Sequence, residues 1–329
     1  MSAKTYLVTG GAGFIGAALV RRLVAEGHRV RALARCARAD ASRLADCIDD
    51  IDFIAADVRD GDAVAEAAKG VDAILHFAAI TATDAFYRIP DQVLDVGVKG
   101  MINVIDACKR HGIGELVFAS SSEAYQTPSR IPTDETEPLT VPDPMNPRYS
   151  YAASKIVSEL MAINFGRRDI GRVLVCRPHN VYGPDMGWNH VLPHFIMRMK
   201  KLAAASTDGR VQFPIQGTGQ ETRAFEYIDD FVDGTILMME KGEHLGIYHI
   251  GTDEETTIGR AAEMVGAYFG VDVEIIASPS PEGGTSRRCP DISKLCALGY
   301  KPRYSLRDGL PIAARWYDEK GNKAPGAPT

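Results

Sequence analysis

The sequence predicts an α/β protein: a doubly wound parallel sheet followed by a smaller C-terminal α/β substrate-binding unit. Three observations carry that prediction. Short apolar β-type runs alternate with helical periodicity through the first half of the chain, the pattern of βαβ units whose parallel strands are covered on both faces. The first run meets a cluster of glycines at once and passes into a helix. After residue 178 the alternation loosens into helices separated by loops, with no linker to mark a boundary. The 329 residues suit about two units at roughly 150 residues each.

Taken in order, Tyr6-Leu7-Val8-Thr9 reads as the first strand. Leu19, Val20, Leu23 and Val24 predict a helix over 17–26 that closes at Gly27, a C-cap. Strands are predicted over 29–33, 51–55, 73–77 and 116–119, with helices over 63–68 and 98–110. Residues 127–147 are rich in Pro and Thr, a surface loop of a length that is usually functional or disordered. A helix over 152–165 and a strand over 173–176 follow. Beyond them lie helices over 190–202, 229–239 and 258–268 and a short strand over 248–250. The low-complexity tail, 321–329, is expected to fray. The expected division is a dinucleotide-binding unit, 1–178, and a mainly substrate-binding unit, 179–329, with about 217–240 returning to the first.

Composition sets outer limits. With 45% hydrophobic, 24% charged and 8% aromatic residues, the chain is neither disordered nor collagen-like. Its 37 Lys and Arg against 43 Asp and Glu give a net charge of -6. That mildly acidic balance argues against a nucleic-acid or anionic-membrane partner, whose footprint is a dense basic face. It leaves room for a small anion held by a few local groups. No uncharged apolar run reaches the ~18 residues of a membrane span, and the apolar start over 6–20 is glycine-rich and flows into a helix rather than a cleavage site. The cysteines (36, 47, 108, 176, 289 and 296) include no C-x-x-C pair, which reads as reduced thiols in the cytoplasm. His190 and His194 are four apart, but Pro193 interrupts them and no Glu accompanies them, so no metal site is expected.

The glycine cluster is the first chemical motif. Thr9-Gly10-Gly11-Ala12-Gly13-Phe14-Ile15-Gly16 puts glycines at 10, 13 and 16 between strand and helix. A tight turn needs positive φ, a pyrophosphate needs close backbone approach, and the helix must pack hard on its strand. Beyond Gly13, Phe14, Ile15 and Gly16 open a helix whose free N–H groups and partial positive charge face the anion. In this context the spacing is a dinucleotide-binding fingerprint, and the sheet is of Rossmann type. The second strand should end at the adenosine ribose, where a carboxylate suits NAD and an arginine suits a 2′-phosphate. Here Leu33-Ala34-Arg35, with Arg38 nearby and no acid, tilts the cofactor from NAD toward NADP, although a solvated surface arginine fits the same run. Asp57-Val58, after the third strand, lies where a carboxylate can hold the adenine amino group, or simply turns the chain.

Tyr151-Ala152-Ala153-Ser154-Lys155 sets a phenol and an ammonium four apart on one helical face. A free tyrosine titrates near ~10, but a neighbouring cation and a positive nicotinamide ring stabilise its phenolate. Ser120-Ser121-Ser122-Glu123 follows a strand at the sheet end where α/β proteins bind ligands. Its hydroxyls can donate to a developing oxyanion or pass a proton to Tyr151. Either motif alone is ordinary, a solvated helix pair or a turn. Their order along one chain, after the glycine turn, is not.

Together these motifs resemble the extended short-chain dehydrogenase/reductase family, in its nucleotide-sugar epimerase and dehydratase group. The likeness is also carried by His76-Phe77-Ala78-Ala79, by Arg177-Pro178-His179-Asn180-Val181-Tyr182-Gly183-Pro184, by residues 217–225 and 227–230, and by Arg288-Cys289-Pro290-Asp291 with Leu298-Gly299-Tyr300. It spans about residues 5–316. It implies Ser121 and Tyr151 as hydroxyl and base, Lys155 as the cofactor-binding lysine, and Ala78 beside the cofactor. Glu123 and Ser122 then lie at the sugar and Asn180 on the substrate diphosphate. Arg223 and Arg288 become bidentate phosphate binders, and Leu192 and Pro193 shape the base pocket. The implied ligands are a tightly bound NAD or NADP and a nucleotide-diphosphate sugar. The implied assembly is a homodimer through helices around 98–110 and 152–165. One departure is Asp95-Val96-Gly97-Val98-Lys99-Gly100, where the family usually has Asn-Val before a Gly-Thr step.

The shared chemistry of such enzymes starts with Tyr151 taking the proton of a sugar 4-hydroxyl while C4 gives up hydride. An epimerase returns hydride to the other face of the 4-ketone. A 4,6-dehydratase eliminates water with an adjacent Asp-Glu pair, and here the pair is Ser122-Glu123. A uronate decarboxylase loses CO₂ from the β-keto acid, and its hydroxyl-Ser-Glu and Arg-x-Pro-Asp runs resemble residues 121–123 and 288–291. The usual basic residue of decarboxylases after Gly-Pro is missing, which favours the epimerase. From other classes come a non-catalytic NADP-binding sensor, which has no need of Tyr151 and Lys155, and a plain carbonyl reductase, which has no need of Arg223 and Arg288.

Overall fold

A computed structural model describes residues 3–280 and 283–321; of the tail expected to fray, 322–329 lie outside them. β1 (Thr5–Thr9) leads through the glycine turn into α1 (Phe14–Ala25), which starts earlier than predicted because the turn itself supplies the first helical residues. β2 (Arg29–Ala34), β3 (Asp52–Ala55), α2 (Gly61–Ala68), β4 (Ala73–His76) and α3 (Thr83–Arg88) follow. Asp60 caps α2 by accepting from the Ala63 amide at 3.0 Å. α4 (Pro90–His111) begins well before the predicted residue 98. Pro90 suits a first helical turn, and the glycines inside the helix are there for packing. A Cβ at Gly97 would lie 2.7 Å from the Ser154 side chain.

β5 (Glu115–Ala119), α5 (Ser150–Gly166) and β6 (Arg172–Pro178) complete the first half. The second half runs β7 (Val181–Tyr182), α6 (Val191–Ala205), β8 (Arg210–Gln216), β9 (Thr222–Ala224), β10 (Glu226–Tyr227), α7 (Ile228–Lys241) and β11 (Gly246–Ile250). It ends with β12 (Glu255–Thr257), α8 (Ile258–Tyr268), β13 (Asp272–Ser278), β14 (Arg287–Arg288), α9 (Ser293–Cys296) and α10 (Leu306–Lys320).

Seven parallel strands form the main sheet in the order β11-β6-β5-β4-β1-β2-β3. Its strands are apolar on both faces, as a doubly wound sheet requires. Leu7, Ile74, Leu116 and Val173 pack toward Met101, Val104 and Ile105 of α4. Val8, Leu75, Val117 and Leu174 pack toward Leu19 and Leu23 of α1 and Phe231 of α7. The strand order reverses between β1 and β4, and the crevice beyond their C-terminal ends is where such sheets bind ligands. Beside it, β8 pairs with β13, β9 lies between β12 and β14, and β7 pairs with β10. α6, α8 and α10 pack on one another. β11 follows α7 in the chain and returns from among these segments to the outer edge of the main sheet. Among the described residues no helix is long and apolar enough to cross a membrane.

Candidate active site

One cavity of about 1470 Å³ extends from the glycine turn past Tyr151 to β9 and Arg288. Pockets for a single small ligand measure roughly 300–1,000 Å³, so this one has room for two. The catalytic, cofactor and substrate residues named above border it, from Gly10 and Arg35 at one end to Leu192, Arg223 and Arg288 at the other, whereas Pro193, expected beside Leu192, and Arg38 do not.

At the switch point the glycine turn is as tight as its spacing suggests. Gly10 has φ +71°, and a Cβ there would lie 2.9 Å from the Ala78 backbone. A Cβ at Gly16 would lie 2.2 Å from the Gly10 carbonyl oxygen. The Gly10 amide donates to the Leu33 carbonyl and the Gly13 amide to the Gly10 carbonyl, both at 2.8 Å. Gly13 caps α1 with no side-chain hydrogen bond, which leaves its first-turn amides to an anion. This cradle fits a dinucleotide pyrophosphate. At the ribose end Arg35 borders the cavity, whereas Arg38 turns away to Asp49 at 2.8 Å. Asp57 also borders it, but both its oxygens receive hydrogen bonds from Arg59, at 3.0 and 2.8 Å. That guanidinium holds the carboxyl below its ordinary range. Arg59 reaches on to Asp95 at 3.2 Å and Asp95 meets Lys99 at 2.7 Å, so the departing 95–100 segment is tied to Asp57.

Beyond β4 and β5 lie the hydroxyls and the base. Ser121 is buried, and its Oγ accepts from the Glu123 amide at 3.1 Å. The Tyr151 ring lies face to face with Phe86, centroids 4.9 Å apart. Burial pushes its phenol up to about 12, against a lowering by the Ser121 hydroxyl. The Lys155 ammonium sits 5.7 Å over that ring and donates to the Ala119 carbonyl at 2.7 Å. Its own burial lowers it to about 8. Desolvation is thus the largest influence on both groups.

Glu123 faces a different environment. Burial raises its carboxyl, but Arg288 and Arg148 outweigh this and hold it at about 2, through contacts of 2.7 and 3.4 Å. Arg223 donates to the Thr222 and Thr285 carbonyls at 2.7 and 2.8 Å, and burial next to Arg288 lowers it to about 10. Asn180 sits at φ +40° and its amide donates to the Ala224 carbonyl at 3.2 Å. Backbone strain of that kind collects at ligand sites. With this geometry in hand, comparison with known proteins is decisive: the family model of NAD-dependent epimerases and dehydratases matches residues 6–251.

The chain belongs to that family.

Members of the NAD-dependent epimerase/dehydratase family that it resembles carry different activities. It is 30% identical to a dTDP-glucose 4,6-dehydratase of Streptomyces antibioticus, over 94% of this chain and 91% of that one. It is 30% identical to UDP-glucuronic acid decarboxylase 1 of Arabidopsis thaliana, over 93% of this chain and 68% of that one. The structure of a Thermotoga maritima UDP-glucose 4-epimerase, solved with UDP-glucose, superposes with a TM-score of 0.84 at 26% identity. That match covers 96% of this chain and 99% of that one. Among the residues around this family site, sequence reasoning missed Phe86, Arg148 and Thr285. Only the Arg148 position carried a signal, a basic residue one turn before the predicted base.

Proposed function

We propose that this family member is a nucleotide-sugar 4-epimerase that oxidises sugar C4 transiently and returns hydride to the opposite face. One observation carries the choice of reaction. Ser121, Tyr151 and Lys155 are assembled beside a Glu123 that its arginine partners keep ionised. A site that eliminates water needs a proton donor beside its base, and next to the ionised Glu123 the chain has Ser122 in place of an acid. The names of relatives do not decide between activities at this distance.

A nicotinamide dinucleotide bound on the glycine turn supplies the reversible hydride acceptor. Tyr151 accepts the proton of the sugar 4-hydroxyl and returns it when the ketone is reduced. Ser121, hydrogen-bonded at the same oxygen, orients the hydroxyl and steadies the charge that develops there. Lys155 favours the phenolate through its ammonium and, with Gly10, Gly13, Phe14, Ile15, Gly16, Val58 and Ala78, holds the cofactor. Asn180, Arg223 and Arg288 hold the diphosphate, Leu192 packs the base, and Ser122 contacts the sugar. Arg35, accessible at the ribose end, favours NADP, and the mass of the co-purifying dinucleotide tests that point. The functional division is between 1–178 and 179–329, with about 217–240 serving the first unit. The assembly is a homodimer through α4 and α5, where Leu94, Ile102, Val157 and Leu160 are exposed.

A uronate decarboxylase is the second reading, supported by Arg288 of the Arg-Cys-Pro-Asp run lying against Glu123 at 2.7 Å. Incubation with UDP-glucose, UDP-glucuronate and dTDP- or GDP-hexoses, followed by NMR of the products, tests the choice. The expected product is the C4 epimer. Release of CO₂ or a stable 4-keto-6-deoxy sugar overturns the epimerase.

A further inference from the structure

The part of the cavity around Glu123 carries more positive charge than the protein itself neutralises. Arg148, Arg223 and Arg288 all border it, with Glu123 between them. One Glu123 oxygen takes Arg288 at 2.7 Å, but the other is 3.4 Å from Arg148, at the long limit of a hydrogen bond. Arg148 Nη1 and Arg288 Nε are buried and have no partner. Buried donors are rarely left unpaired, and an orphan of this kind marks a group that something else completes.

The arginines differ in where they stand. Arg223 extends from β9, next to Ala224, whose carbonyl receives the Asn180 amide. That is the side assigned above to the diphosphate. Arg148 comes from the opposite side, on the short turn Pro147–Tyr149 that leads into α5. Its guanidinium lies 5.7 Å from the Phe86 ring, and Phe86 lies flat against Tyr151. Arg148 therefore stands at the reacting end, close to the phenol that addresses C4. A diphosphate gripped at the far side leaves this guanidinium unanswered.

We propose that Arg148, positioned through Glu123, binds a negative charge on the sugar itself, so that the substrate is a nucleotide-activated acidic sugar whose carboxylate is borne on C5. This rests on the reading of the site as acting at C4. A carboxylate on C5 is the nearest anionic substituent to C4, and one guanidinium can grip it bidentately. Glu123 then serves as a positioning residue: it holds both guanidiniums in place before the ligand arrives, and its single charge leaves the pair with an excess of one.

The test compares kcat/KM within matched pairs, UDP-glucuronate against UDP-glucose and GDP-mannuronate against GDP-mannose. In the pair that is turned over, the acid is expected to be preferred by about 10-fold or more, the worth of a charge-assisted contact. Arg148→Gln should lower the acid-to-neutral ratio by about 10- to 100-fold and Arg148→Lys should restore part of it, since it keeps the charge and loses the fork. A wild-type ratio at or below one overturns the proposal. So does an Arg148→Gln variant that loses both substrates equally, which is the mark of a merely structural role. Product analysis separates the two readings. An acid converted to a pentose with loss of CO₂ removes the epimerase and keeps the acidic-sugar assignment, whereas neutral hexoses epimerised beside inert uronates do the reverse.

Discussion

Tyr151 and Lys155 are opposed by the same burial that makes their partnership useful. Desolvation raises the phenol to about 12 and lowers the ammonium to about 8. The lysine is charged below its own titration and neutral above it, so its support for the phenolate is lost as pH rises through about 8. The expected profile of kcat/KM is a rise toward that point, as the phenol proton becomes easier to remove, and a decline beyond it. Tyr151→Phe should lower turnover by about 10²- to 10⁴-fold, the usual worth of a positioned base, while circular dichroism stays native. A wild-type rate that keeps climbing far above the Lys155 titration would remove the lysine from this role. The pair was legible in the sequence because four-residue spacing on a helix dictates proximity. Arg148, Phe86 and Thr285 were not, because only the tertiary path of α3, the turn before α5 and the segment before β14 brings them together.

At the level of elements, the helix carrying the base is located by a glycine on its neighbour. A Cβ at Gly97 of α4 meets Ser154 of α5 at 2.7 Å, one residue before Lys155. Alanine is the better helix former by about 1 kcal/mol, yet Gly97→Ala is expected to destabilise by about 1 to 3 kcal/mol through overpacking and to lower kcat. Urea unfolding measures the first effect, and a gain in stability would mean that the helices can part freely. The strands and helices of the main sheet were readable because continuous apolar runs and helical periodicity each have a single local cause. β8 and β13 were not. Val211, Phe213 and Ile215 alternate with exposed residues in β8, a strand signal that sequence reading passed over, but Pro214 interrupts it, β13 has no buried residue, and each finds its parallel partner far along the chain. The long loop over 127–147 was read as functional from length alone. Its part in the fold is to pin Thr133, whose amide donates to the Cys289 carbonyl at 2.9 Å and whose carbonyl accepts from the Asp291 amide at 2.7 Å. That staple sets Arg288 beside Glu123.

For the whole molecule, the proposed homodimer draws on the apolar side chains left exposed on α4 and α5. Leu160 is 56% exposed, with Val157 beside it and Leu94 and Ile102 on the neighbouring helix. Scattered exposed leucines are common, but four exposed apolar residues on one pair of helices are where the proposed homodimer would form. Leu160→Glu is expected to convert a dimer to a monomer by light scattering with little loss of thermal stability. A wild-type chain that already runs as a monomer would count against the homodimer. The return of β11 to the edge of the main sheet has a different implication, for synthesis. On the ribosome, β6 emerges with its outer edge bare, and the strand that covers it appears only after β7 to β10 and the helices α6 and α7 have been translated. Until then the nascent sheet offers a row of unpaired amides and carbonyls, the template for pairing with another chain. The vulnerable interval in the life of this protein therefore falls before the last strand of its main sheet has been made.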